Sequence, residues 1–251
     1  MDVNFHWSTL HVPREDGPDE HMDAYFAFPG EGGPFPGIVV FQEIFGVNEH
    51  IREVCRRIAA HGYVVVAPDI YHRSVQRLEL GYEARDVAVG REHKDKCTIE
   101  GLLADTRGAI KALHDRDDVS EGKLGCVGFC FGGHVAFIAA TLSEFAATAC
   151  FYGGGITTMR PGGGEPSIKL AHEIKGRILM LYGDDDKGIP PEQVDEVRNA
   201  LADAGLRYEV RTFIGAGHGF ACDKRLSYHV GAANDAWKLV FDMWDAELKQ
   251  A

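Results

Sequence analysis

The sequence predicts an α/β protein with a mostly parallel central sheet and helices on both faces. Strand-like and helix-like segments alternate from about residue 20 to the end of the 251-residue chain. Several strand candidates are continuous apolar runs, as strands buried on both faces must be. No stretch resembles a linker, so residues 1–251 read as one domain.

The elements follow in order. Met22 to Phe28 alternates and reads as a strand ending at Pro29-Gly30. Ile38-Val39-Val40-Phe41 is a buried strand. Asn48 is a helix cap, and Ile51, Val54, Cys55 and Ile58 share one face of a helix running to about His61, where Gly62 stops it. Val64 to Ala67 is the next buried strand, ended by Pro68. Residues 73–97 are polar and charged and read as helical pieces of a cap or loop. A helix spans about Ile99 to His114, a short strand Leu124 to Val127, and a helix Phe131 to Leu142. Ala146 to Phe151 is strand-like, and residues 153–167, rich in Gly and Pro, read as a loop. Ile178 to Tyr182 and Tyr208 to Phe213 are strands flanking a helix from Pro191 to Ala204. A helix from His229 to Leu248 closes the pattern.

Composition excludes several classes of function. The net charge is -12, from 26 basic and 38 acidic residues. Such a surface repels phosphate backbones and anionic lipid, so neither nucleic acid nor membrane is expected as a partner. An anionic substrate would need a local basic pocket. No apolar run approaches the ~20 residues of a membrane helix. The N-terminus has no basic start and no apolar stretch, so a cytoplasmic protein is expected, monomeric or a small homo-oligomer. The six cysteines are scattered without a CxxC pair, which argues for reduced thiols and against a disulfide scaffold or a structural zinc site. No metal and no cofactor are expected.

One cysteine stands apart. Gly128-Phe129-Cys130-Phe131-Gly132-Gly133 lies between a strand and a helix. A sharp strand-to-helix turn strains its central residue and projects it clear of the sheet, and glycines two positions either side let the backbones pass. The helix N-terminus beneath favours a thiolate and offers N–H groups to an oxyanion. A buried cysteine beside a helix-packing glycine pair is the plainer alternative. The strand before and the helix after favour a nucleophile.

A nucleophile of this kind needs a base, and the base an orienting acid, in that chain order for α/β-hydrolases. The strand ending at Tyr182 leads into Gly183-Asp184-Asp185-Asp186-Lys187-Gly188-Ile189-Pro190. Asp186 suits the far side of such a loop and is chosen, with Asp184 second; at least two of the three read as solvated turn residues. The strand ending at Phe213 leads into Gly215-Ala216-Gly217-His218-Gly219-Phe220, which places His218 after the right strand and downstream of the acid.

With these motifs the chain resembles the dienelactone hydrolase (carboxymethylenebutenolidase-like) family of α/β-hydrolases, over about residues 20–245. The resemblance rests on Gln42-Glu43-Ile44-Phe45-Gly46, Gly62-Tyr63, Ala67-Pro68-Asp69-Ile70-Tyr71, the cysteine elbow and Ala216-Gly217-His218-Gly219-Phe220. It implies that Glu43 lies beside the nucleophile and helps generate the thiolate when substrate arrives. It also implies that the N–H groups of Ile44 and Phe131 form an oxyanion hole. From the residues alone, Glu43 at the end of a strand is equally a site acid or an exposed loop acid. Lactone-specific members hold a substrate carboxylate with two arginines, one of them four residues after the histidine. Here that position is Cys222, with Lys224 and Arg225 beyond it. The other arginine would come from the stretch Arg77 to Arg91, with Arg85 as the candidate, and Arg225 and Tyr71 are further substrate-binding candidates.

The expected function is cysteine-dependent hydrolysis of a small ester or lactone through an acyl-enzyme. Two alternatives are a non-catalytic binding or scaffold protein on the same fold, and a thiol redox sensor acting through Cys130, with Cys126 as the nearest cysteine in sequence.

Overall fold

The computed structural model describes residues 1–13 and 18–249; residues 14–17 and 250–251 of the expected domain lie outside the described residues. Eight strands form one sheet, β1 (Val3–Val12), β2 (Glu20–Pro29), β3 (Gly37–Phe41), β4 (Val64–Pro68), β5 (Leu124–Phe129), β6 (Phe145–Phe151), β7 (Arg177–Gly183) and β8 (Tyr208–Phe213). Their order is β1-β2-β4-β3-β5-β6-β7-β8. The first three in that order pair antiparallel, and every pairing from β4–β3 to β7–β8 is parallel. The predicted class is therefore the observed one.

The apolar runs sit where burial on both faces requires them. All five residues of β3, all five of β4 and all six of β5 are buried. Helices α1 (Glu49–Ala60), α2 (Ala84–Lys94), α3 (Ile99–His114), α4 (Phe131–Ala139), α5 (Pro191–Asp203) and α6 (Val230–Leu248) cover the sheet and its edge. Asn48 caps α1 by accepting from the Ile51 N–H at 3.3 Å, and Thr98 caps α3 in the same way from Gly101. Every residue of α4 is buried, so the helix after the elbow is held on all sides. Between the sheet and α6 the rings of Phe129, Phe151 and Trp237 lie within 5.9 Å of one another, Phe129 and Phe151 stacked. No helix among the described residues is long and apolar enough to cross a membrane.

Three local expectations need correction. Strand β1 was not anticipated: it is an edge strand whose buried residues are Leu10 and Val12 alone, so its apolar alternation is broken. The helix after the elbow ends at Ala139 rather than Leu142. The segment expected to be a loop runs into a 3₁₀ helix at Ser167–Glu173.

Candidate active site

The loops at the carboxyl ends of the parallel strands converge, as open α/β sheets require. β3 delivers Glu43 and Ile44, β5 delivers Cys130, β7 delivers Asp186 and β8 delivers His218. Cys130 has φ 55° and ψ -118°, a conformation that costs a non-glycine residue about 1–3 kcal/mol. The turn closes because its glycines carry no Cβ. A Cβ on Gly128 would lie 1.8 Å from the Gly132 carbonyl oxygen, and one on Gly132 would lie 2.3 Å from the carbonyl oxygens of Phe41 and Gln42.

His218 and Asp186 meet at 2.7 Å, Nδ1 to Oδ2, and the Asp186 side chain is fully buried. The other Asp186 oxygen, Oδ1, accepts the Gly188 N–H at 2.9 Å. Burial pulls the His218 imidazole down, but the charge of Cys130 and the Asp186 hydrogen bond outweigh it and raise the ring to about 10. His218 thus lies between Asp186 and Cys130, both of which favour the protonated form of its ring. Asp184 bonds elsewhere, to the Gly215 N–H at 2.6 Å, and Asp185 is an exposed partner of Lys187. The structure thus separates Asp186 from its two neighbours.

Glu43 is 1% exposed. Its Oε1 accepts from Arg225 at 3.0 Å, which ties it to the β8 side of the site. A cavity of about 340 Å³ is lined by Cys130, Phe131, His218, Ile44, Phe45, Arg225, Val87, Arg91, Lys94, His134 and Met159, with glycines 154, 155 and 188. Phe131 is the first residue of α4, so its N–H has no acceptor within the helix. Ile44 is fixed from behind: its carbonyl oxygen lies 2.4 Å from where a Cβ on Gly90 would be, so α2 packs onto it through a bare backbone.

Arg85 is not in this cavity. Its side chain is 87% exposed and lies 3.8 Å from Asp86. Helix α2 turns Val87, Gly90, Arg91 and Lys94 inward instead, an i, i+3, i+4, i+7 face. Tyr71 is also displaced from expectation. It is buried, its ring stacks 6.5 Å from that of Phe131, and it lines a neighbouring cavity bounded by Arg73, His93 and Cys97. Cys126 is buried against Thr148 Oγ1 at 3.4 Å. Sequence reasoning missed Lys94 and His134, and held Arg91 only as the last residue of the stretch expected to supply the second arginine. Arg91 and Lys94 lie on a helix face that lines the cavity, so no apolar period marks it.

Sheet order, elbow and loop arrangement define an α/β-hydrolase. The model of the dienelactone hydrolase family matches residues 22–248, and the chain belongs to that family. It is 39% identical over 249 residues to a provisionally named carboxymethylenebutenolidase of Synechocystis sp., covering 99% of this chain and 100% of that one. A protein of Methylorubrum extorquens with the same provisional name is 35% identical, covering 92% and 78%. The crystal structure of a provisionally named dienelactone hydrolase from Klebsiella pneumoniae superposes with a TM-score of 0.84 at 30% identity, covering 96% and 98%. The protein is a dienelactone hydrolase-like hydrolase.

Proposed function

We propose that this enzyme hydrolyses a small carboxylate-bearing lactone or ester through a Cys130 acyl-enzyme. The observation that carries the reading is the line Cys130–His218–Asp186 opening into a cavity with three cationic side chains, Arg91, Lys94 and Arg225. Among the described residues that line this cavity there is no carboxylate. In a chain of net charge -12 this is the local basic pocket an anionic substrate needs.

The Cys130 thiolate attacks the acyl carbon, and the N–H groups of Ile44 and Phe131 hold the resulting oxyanion. Collapse breaks the ring C–O bond, and the His218 imidazolium gives its proton to the leaving oxygen. Water then attacks the thioester while His218 takes a proton from it, and Cys130 leaves as thiolate. Asp186 holds the ring through Nδ1 so that Nε2 faces sulfur and substrate. Glu43 has Arg225 as its resting partner. A substrate carboxylate that draws Arg225 away leaves Glu43 as a buried base beside the nucleophile.

The test is hydrolysis of anionic lactones, neutral lactones and aryl esters by wild type, Cys130→Ala and Arg91→Ala/Lys94→Ala. Cys130→Ala should lose at least ~100-fold in kcat, since such groups act as a unit. The double variant should raise KM for anionic substrates by ~10-fold or more and leave neutral esters little changed. Turnover that survives in Cys130→Ala removes the acyl-enzyme reading. An equal loss for neutral and anionic substrates removes the substrate class.

A further inference from the structure

Behind the nucleophile, away from the substrate cavity, lies a second group of chemically capable side chains. Glu43, His50 and Cys222 are all buried, and one ligand-type atom from each lies within 4.8 Å of the other two. They come from the loop after β3, the first turn of α1 and the segment after β8. Nothing in the hydrolytic reading uses His50 or Cys222.

Two atoms of this group have no partner among the described residues: Glu43 Oε2 and His50 Nε2. The side chains are 1% and 4% exposed. His50 Nδ1 lies 3.3 Å from Asp223 Oδ1, so the ring's proton belongs on Nδ1 and Nε2 is left as a bare lone pair. A carboxylate oxygen and an imidazole lone pair thus lie close together, while the Cys222 thiol beside them donates to the Tyr82 hydroxyl at 3.3 Å. Each such unsatisfied buried group costs about 1–3 kcal/mol. A cation or a water between them relieves both.

The donor set favours the cation. Carboxylate oxygen, imidazole nitrogen and thiolate sulfur together are the ligands of zinc-class ions. The Asp223–His50 hydrogen bond is the outer contact that orients a metal-bound histidine. Tetrahedral zinc places its ligand atoms roughly 3.5 Å apart, so the longest separation must close by about 1 Å. Arg225 keeps Glu43 Oε1 while Oε2 stays available. A separate cavity of about 210 Å³, with Glu53, Arg57 and Asp223 in its wall, reaches His50 from outside.

We propose that Glu43 Oε2, His50 Nε2 and Cys222 Sγ form a site for a zinc-class divalent cation, and that filling it shuts the hydrolase off by occupying Glu43, which can then no longer serve as a base. Loading displaces one proton, from the Cys222 thiol to solvent, and no electron moves. The binding stands on its own geometry, whereas the shut-off rests on the role proposed above for Glu43.

Cobalt(II) titration reads the binding without turnover, through the thiolate-to-metal charge-transfer band. The band is expected in Cys130→Ser, where the nucleophile's sulfur is gone, and lost in Cys222→Ser. Asp223→Asn weakens binding about 10- to 100-fold. Zinc inhibition of anionic lactone hydrolysis, reversed by a chelator, is expected to need at least ~100-fold more zinc in Cys222→Ser. Unchanged metal-free activity of that variant shows it is folded. A band that vanishes with Cys130→Ser and survives Cys222→Ser overturns the site, as does no band in any form, which assigns the gap to a water. A Cys222-dependent band with hydrolysis unaffected keeps the site and removes the assigned role of Glu43.

Discussion

His134 shows how much one side chain depends on where the fold buries it. It sits on α4, one turn after Cys130, with Nδ1 3.1 Å from the Gly154 carbonyl oxygen and Nε2 2.8 Å from Ser167 Oγ. The carbonyl can only accept, so Nδ1 carries the hydrogen and Nε2 accepts from the serine. Burial pulls the ring down to about 4. The unfolded chain takes up this proton near pH 6.5 and the folded protein only near 4. The stabilising term is therefore whole above about pH 6.5 and is lost as the pH falls toward 4. At about pH 5 the expected loss is roughly 2 kcal/mol. Denaturant unfolding at about pH 7.5 and about pH 5 should show wild type losing that much more than His134→Gln, whose amide keeps both hydrogen bonds but does not titrate. Equal losses in the two proteins would mean that His134 is already protonated in the fold.

Among the elements, the elbow and α2 shape the site, and both do so through missing side chains. At the elbow the end of β3 passes so close to α4 that Gly132 faces two backbone carbonyls. Gly132→Ala must push β3 and the Glu43–Ile44 loop away from Cys130. The expected cost is about 3 kcal/mol, with thiol alkylation of Cys130 altered even where the protein remains folded. Gly231→Ala is the contrasting control: Gly231 is exposed on α6 and meets only the His229 ring, at 3.5 Å, so it should gain up to about 1 kcal/mol. Equal behaviour of the two variants in urea unfolding would show that the close approach is not what demands glycine. Helix α2 repeats the device with Gly90 against Ile44, which sets one proposed oxyanion N–H and two cations with a single rigid element.

At the scale of the molecule, the sheet was legible because its central strands are unbroken apolar runs, and the candidate triad because each member follows a strand at a motif. Asp186 was separable from Asp184 only by a loop pattern, which the hydrogen bond to His218 now supports. Strand β1 was illegible because an edge strand buries too little to leave a period. Arg225, Glu43 and the stretch ending at Arg91 were candidates from the sequence, but Lys94 and the grouping of Glu43 with His50 and Cys222 were illegible for another reason. Residues from positions 43, 50, 91, 94, 222 and 225 share space only through the three-dimensional fold. The same fold sets two electrostatic scales against each other. Beyond the screening length, about 10 Å at 0.1 M salt, an approaching anion meets the field of the whole chain, net -12. Inside the cavity it meets Arg91, Lys94 and Arg225, whose contact interactions salt screens far less. Raising ionic strength from about 10 mM to about 150 mM should therefore lift kcat/KM for anionic substrates by roughly two- to five-fold. Neutral esters should stay flat over the same range, since neither field acts on them. A fall in kcat/KM for the anions would mean that the cavity's positive potential reaches past the mouth and dominates the approach.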